Sequence, residues 1–438
     1  MAAAVASAML STSARPVTVL ILGALVMASG CSSADSEETA RASAQELALA
    51  RACDLTNTCR VADGDVEAWE TDRPAAHELH APTLDEASQL VADNGGRCLL
   101  VVRDGKLVHE AYENGARPSS LHDTFSIAKT FTSALIGIAI AEGKIGSAAQ
   151  PAAAYVPEWR GDPTRAPILL RHLLSGSSGL RYTATAGTSV DLGDYTWLYT
   201  FWNLTDGAIR HPVGAPPDAE WRYNNHAVQV LGRVIAAATG ENPETYAREH
   251  LWRPIGMASR GAEGARTHWK LDHAGNPVMF SSVYATCRGL ARFGQLLLQA
   301  ARRSSPALYP EIAPGERAPL PALLDDRYVR EMLAPGPKNG VYGYLTWLNR
   351  TPRPSERAFG NTNEPIIGKP FTFAPDDMFS AQGVGQNFID VLPSTNTVIV
   401  HIRPLDWLKP AVILADGQQN LHREILRRVL DADSRMRN

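Results

Sequence analysis

The longest coherent apolar stretch of the chain is DTFSIAKTFTSALIGIAIAEG, Asp123 to Gly143, where Ala, Leu and Ile recur on every side of a helical projection. A helix that is apolar all round belongs in the interior of a large domain. Glu142-Gly143 supplies its end, glycine taking the left-handed capping conformation. Upstream, CLLVVRDGKLVHEAY from Cys98 holds two apolar runs joined by Asp104-Gly105, which predicts a β-hairpin. Helical spacing returns at Leu169 to Leu174, at Trp221 to Gly240 with a capping glycine, at Pro243 to Leu251 and at Ser282 to Ala301. A Pro-rich connection of about thirty residues then predicts surface loop. Sheet-like runs follow from Tyr342 (YGYLTWLN), Asn387 (NFIDVLP) and Thr397 (TVIVHIRP), and Gln418 to Leu430 predicts a closing helix. Strands at both ends with helices between them predict one α/β domain whose sheet is completed by sequence-distant strands.

The polar remainder adds two segments. Ser175 to Pro217 is rich in Gly, Thr, Asp and aromatics without periodicity, and long irregular segments of this kind carry function or mobility. A substrate-facing loop is expected there, with Asp191 and Tyr195 as contacts or as plain loop-surface residues. At the start, Arg15 precedes an apolar run, Val17 to Ala28, that is short for a membrane span, and Ser29-Gly30-Cys31 follows at once. Residues 1–31 therefore read as an export signal. Small residues before a cysteine and a Ser-rich, acidic stretch after it resemble a bacterial lipoprotein signal with Cys31 lipidated; the alternative is an ordinary signal peptide with an incidental cysteine. Residues 32–75 read as a tether and N-terminal arm, and residues 76–438 as the folded domain.

Composition narrows the partners. A 45% hydrophobic content over 438 residues can fill a substantial core, and a net charge of -4 offers no basic face to nucleic acid. In an oxidising compartment Cys53 and Cys59 are close enough for a small disulfide loop. Cys98 and Cys287 lie in apolar runs and read as buried free thiols. The histidines His77 and His80, or His268 and His273, lack a third partner at zinc spacing and read as surface or capping residues.

Three short elements could carry chemistry. Ser126 and Lys129, three apart on a helix, present a hydroxyl and an amine side by side. A lysine at its usual pKa of ~10.4 cannot take a proton at neutral pH, and an apolar setting would lower it. The helix N-terminus also offers N–H groups to a developing oxyanion. Ser-x-x-Lys is nevertheless a common tetrapeptide. Tyr223-Asn224-Asn225 could supply a phenol that shares the proton and an amide that binds a substrate carbonyl, or merely a core aromatic and an N-cap at Asn225. His226, next in line, is a candidate lining residue. Phe379 to Gln386, FSAQGVGQ, places glycines before a strand where a backbone can approach a ligand, with Val384 N–H as a second oxyanion donor, or where they form only a tight turn.

In this order the three elements resemble the penicillin-recognising serine hydrolases, in particular the class C β-lactamase-like group of esterases, D-amino-acid peptidases and 6-aminohexanoate-oligomer amidases. Further matches are LRHLLSGSSGL at Leu170, LWRPIGM at Leu251 and LARFGQLLL at Leu290, over roughly Arg97 to Pro404. The resemblance implies an antiparallel sheet flanked by helices with a mostly helical subdomain, Ser126 as acylated nucleophile, Lys129 as base and Tyr223 as proton shuttle. It implies Ser126 and Val384 as backbone oxyanion donors, and Asn225, Gln382 and Gly383 as substrate contacts. No metal or organic cofactor is implied. Where Lys-Thr-Gly or His-x-Gly is usual, Ala381-Gln382-Gly383 stands, which removes a cation used toward a substrate carboxylate. A small ester or amide is thus the expected substrate of an exported, membrane-tethered enzyme. A β-lactamase or D-alanyl peptidase, and a non-catalytic cell-wall-binding or sensor lipoprotein, are the alternatives.

Overall fold

The structure, a computed structural model, describes residues 58–60, 69–181, 202–257, 267–309, 320–360, 365–405 and 420–436. Strand β1 (Thr58–Arg60) and helix α1 (Ala81–Asp93) precede the hairpin β2 (Cys98–Arg103) and β3 (Lys106–Tyr112). Asp104 and Gly105 have φ of 53° and 77°, the left-handed pair that a two-residue hairpin turn requires. Strand β4 (Ser120–Asp123) leads through a 3-10 turn, Phe125–Ile127, into α2 (Ala128–Ala141). Helices α3 (Leu170–Leu174), α4 (Leu204–Arg210), α5 (Asn225–Thr239) and α6 (Pro243–Ala247) follow, the last running on as a π-helical turn to Trp252. Strands β5 (His268–Trp269) and β6 (Val283–Ala285) lead to α7 (Cys287–Ser304) and α8 (Asp326–Met332). The chain returns to sheet in β7 (Trp347–Leu348), β8 (Phe379–Gly383), β9 (Asn387–Leu392) and β10 (Thr397–Ile402), and α9 (Asn420–Ala432) closes it.

Among the described residues six strands form the main sheet in the order β3-β2-β10-β9-β8-β7, each pair antiparallel. The first and last strands of the sequence meet where β2 pairs β10, with Val102 opposite Val398 and Cys98 opposite Ile402. Alternation sorts β2 between two layers. Cys98, Leu100 and Val102 face the core that holds α2 and α7, while Leu99 and Val101 face α1 and α9. Both faces of the sheet are therefore covered, and β2, β9 and β10 are buried along their whole length. The short strands β1, β4, β6 and β5 form a second sheet, whose β4 delivers the chain to α2.

The central helix is buried from Ala128 through Ala139, and Gly143 caps it with φ 70°. Helix α5 likewise ends at Gly240 with φ 78°. Other boundaries differ from expectation. The helix expected from Ser282 begins at Cys287, capped by the Thr286 side chain, because Val283–Ala285 pairs with β4 and β5. The Pro-rich connection contains α8, capped by Asp325, and the segment taken as irregular contains α4, capped by Asn203. Only Trp347–Leu348 of the Tyr342 run is strand. Cys98 and Cys287 are not free thiols: β2 lies against the first turn of α7, and the two sulfurs form a disulfide across 189 residues of sequence. Cys31, the export segment, Cys53, Asp191 and Tyr195 lie outside the described residues.

Candidate active site

Ser126 sits on the 3-10 turn between β4 and α2. Phe125 before it has φ 47°, an outlying conformation for a bulky residue, and it turns the chain sharply from strand to helix. Phe125 and Ile127 are buried as a result, whereas Ser126 is half-exposed. Lys129, one turn on, is buried, with Nζ 2.9 Å from Ser126 Oγ and donating to Phe280 O at 2.9 Å. The same nitrogen lies 4.6 Å from the centroid of the Tyr223 ring.

Tyr223 reaches this point because the LLSGSSGL loop supports the backbone before it. Arg222 N–H donates to Gly176 O at 2.8 Å, and a Cβ at Gly176 would meet Trp221 Nε1 at 2.7 Å. Only glycine permits that approach, and its φ of 73° is left-handed as well. Ser177 Oγ donates to Asp218 at 2.6 Å and Asn224 Nδ2 to Leu180 O at 3.0 Å, closing the loop onto the segment. The α5 N-cap is Asn224, whose side chain accepts from Ala227 N–H at 3.1 Å, and not Asn225. Asn225 therefore occupies the first helical position, half-exposed. His226 is buried with its ring 3.6 Å from that of His211, and burial pushes it down to about 3.

The third element arrives from the sheet. A Cβ at Gly383 would lie 2.5 Å from Thr124 O and 3.3 Å from Ser126 N, so the end of β8 rests directly on the Ser126 turn. Val384 follows, half-exposed, on the turn to β9. Asn387 Nδ2 donates to Val384 O at 2.6 Å, and Gln386 Oε1 accepts from His422 N–H at 2.9 Å, fixing this turn to α9. Ala381 is buried, and Gln382 is half-exposed. Beneath, Ser380 Oγ donates to Asp390 at 2.6 Å and His422 Nε2 lies 2.8 Å from the same carboxylate.

Aromatic side chains that the sequence pattern did not single out flank the cluster. Trp347 stacks on Tyr223 at 5.9 Å between ring centroids, and Tyr342 packs edge-on to Trp347 at 4.6 Å. Trp221 lies between Tyr342 at 5.4 Å and Phe359 at 5.9 Å. Trp347 and Phe359 are half-exposed. The other histidines are engaged elsewhere: His77 lies between Asp72 and Asp104, His80 bonds Thr83, and His268 and His273 stack on Tyr284 and Trp202.

A hydroxyl beside a buried amine, a nearby phenol and a glycine strand pressed on the hydroxyl's backbone thus come together at the start of the central helix. Residues 87–401 match the beta-lactamase family, and the chain belongs to that family of serine hydrolases. It is similar to a beta-lactamase of Pseudomonas fluorescens, with 26% identity over 201 residues, 43% of this chain. The match spans 53%, about half, of that relative's length. Its fold is similar to that of a candidate 6-aminohexanoate-dimer hydrolase from Bacillus anthracis, at TM-score 0.56 and 21% identity over 84% of this chain and 90% of the other. A candidate beta-lactamase from Bacteroides dorei matches at TM-score 0.57 and 18% identity, over 81% and 99%. The fold is that of the β-lactamases and transpeptidases, an antiparallel sheet with flanking helices.

Proposed function

We propose that the protein hydrolyses a small, uncharged ester or amide through an acyl-enzyme on Ser126. The observation that carries this reading is the 2.9 Å separation of Lys129 Nζ and Ser126 Oγ, with Gly383 packed against Ser126 N. Ser126 Oγ attacks the substrate carbonyl carbon as its proton passes to the neutral Lys129 amine, with Tyr223 sharing the charge. The tetrahedral oxyanion takes the N–H groups of Ser126 and Val384. Collapse breaks the bond to the leaving alcohol or amine, which Tyr223 protonates, and water then releases the acid by the same steps reversed. Asn225 and Gln382 are the contacts assigned to the substrate's polar groups.

Two features favour an uncharged substrate. Ala381, buried, stands where a cation would meet a carboxylate, and the Tyr223–Trp347 wall offers apolar surface to the acyl or leaving group. A short p-nitrophenyl ester is expected to give a burst and a covalent adduct, both abolished in Ser126→Ala. Parental turnover by that variant would overturn the assignment. Nitrocefin and a D-Ala-D-Ala peptide, run beside the ester, are expected to be poor substrates.

Export with a lipid anchor on Cys31 completes the reading. The Cys98–Cys287 disulfide supports it, because such bonds persist in oxidising compartments. Cys31→Ala is expected to move the protein from the membrane to the soluble fraction; unchanged fractionation would remove the anchor from the proposal.

A further inference from the structure

Asp123 ends β4 three residues before Ser126, and no step above uses it. Its side chain is buried, and its carboxylate joins two segments of the chain. Oδ1 accepts the Phe125 N–H at 2.8 Å and Oδ2 accepts the Ser282 hydroxyl at 3.2 Å, with the Tyr284 hydroxyl as a further donor. Phe125 and Ser282 both have left-handed backbones, with φ of 47° and 62°. They also hold each other: Ser282 N–H donates to Phe125 O at 3.2 Å, and Thr124 N–H donates to Val283 O at 3.0 Å. Two costly conformations thus face one another across a single carboxylate.

What hangs on those two segments is the catalytic pair. Phe125 carries Ser126, and Phe280, two residues before Ser282, gives its carbonyl to the Lys129 amine at 2.9 Å. We infer that Asp123 is a positioning residue that locks the turn bearing the nucleophile to the segment that orients the lysine. This rests on the roles proposed above for Ser126 and Lys129. A carboxylate is suited to the task because three donors converge on it and it carries no proton of its own. A protonated acid or an amide brings a donor that one of the three must yield to.

Tyr284 and Ser282 face the carboxylate from the β6 side, and Lys270 acts on it from the segment following β5. Against these, burial dominates and pushes Asp123 up to about 6. Protonation in that range weakens the lock, so kcat is expected to fall on the acid side of pH 6 before any change in KM.

The test is Asp123→Asn in the full chain, assayed with the p-nitrophenyl ester from pH 5 to 9 and normalised to sites titrated by the burst. We expect kcat at pH 8 to fall about 10- to 100-fold, as small misplacements of reacting groups do, with KM little changed and the acid limb lost. A purely structural role would lower the yield or melting temperature and leave the per-site kcat and its pH profile as in the parent; that result overturns the inference. Should Asp123→Asn fail to fold, Ser282→Ala decides. It removes one donor and so is expected to lower kcat and move the acid limb to higher pH, and a parental profile would overturn the inference equally. The underlying assignment fails separately, by parental turnover in Ser126→Ala.

Discussion

Gly383 shows how a residue with no side chain can be as constrained as Ser126. A methyl group there would sit 2.5 Å from Thr124 O, a backbone atom with little room to retreat, and 3.3 Å from Ser126 N. Gly383→Ala is therefore expected to push β8 from the Ser126 turn and open the gap between the two oxyanion donors proposed above. Losing one such donor lowers kcat about 100- to 1,000-fold; burst rate per titrated site measures it, and a parental rate would show that β8 is not part of the oxyanion site. Asp123 makes the reverse compromise. Its folded value of about 6 lies above the unfolded 3.8, so the native state holds an extra proton in that window. The stability this contributes is whole below 3.8 and is lost as pH rises through about 6. His226 and His401, pushed down to about 3 by burial, act in the opposite direction, losing stability as pH falls below 6.5. The Asp123 contribution is thus read by difference: Asp123→Asn should gain urea resistance relative to the parent on going from pH 4 to pH 8.

At the scale of elements, legibility followed whether a local signal was long enough to outweigh tertiary pairing. The Asp104-Gly105 hairpin, the all-apolar central helix and the Gly240 cap each carry their own information, and each formed where expected. Strand β6 is three residues long and β7 two, too short for an alternating pattern to register, and they exist because β4 and β8 pair with them. The helix expected from Ser282 starts after β6 for that reason. Helix α1 carries a local signal, with Pro near its start and Leu84, Ala87 and Val91 on one buried face, although the sequence reading placed no element there. Among the residues proposed for the site, the juxtaposition of Ser126 and Lys129 followed from helical spacing, while the choice of Tyr223 and Gly383 depended on family order. Asp123 had no signal at all, since its role requires residues 280–284 to fold back beside it.

At the scale of the molecule, the Cys98–Cys287 bond matters through what it encloses. The segment closed by the two cysteines, at a sequence separation of 189, includes the Ser126 turn, α2 to α6 and both short strands β5 and β6. No spacing rule reads a pair so far apart, which is why two apolar settings suggested free thiols. The bond ties β2, one strand in from the edge of the main sheet, to α7, the helix that covers it. For a loop of this length the chain-entropy relation gives about 5 kcal/mol of stabilisation, and local structure remaining in the unfolded chain reduces it. The double variant Cys98→Ala/Cys287→Ala is expected to lose about 3–5 kcal/mol in denaturant unfolding. Reductant present during unfolding should bring the parent toward the variant's midpoint, leaving only the packing difference between two buried thiols and two methyl groups. If oxidised parent and double variant instead unfold at the same midpoint, the enclosed half of the domain draws its stability from packing alone, and the disulfide loses its weight as support for an exported enzyme.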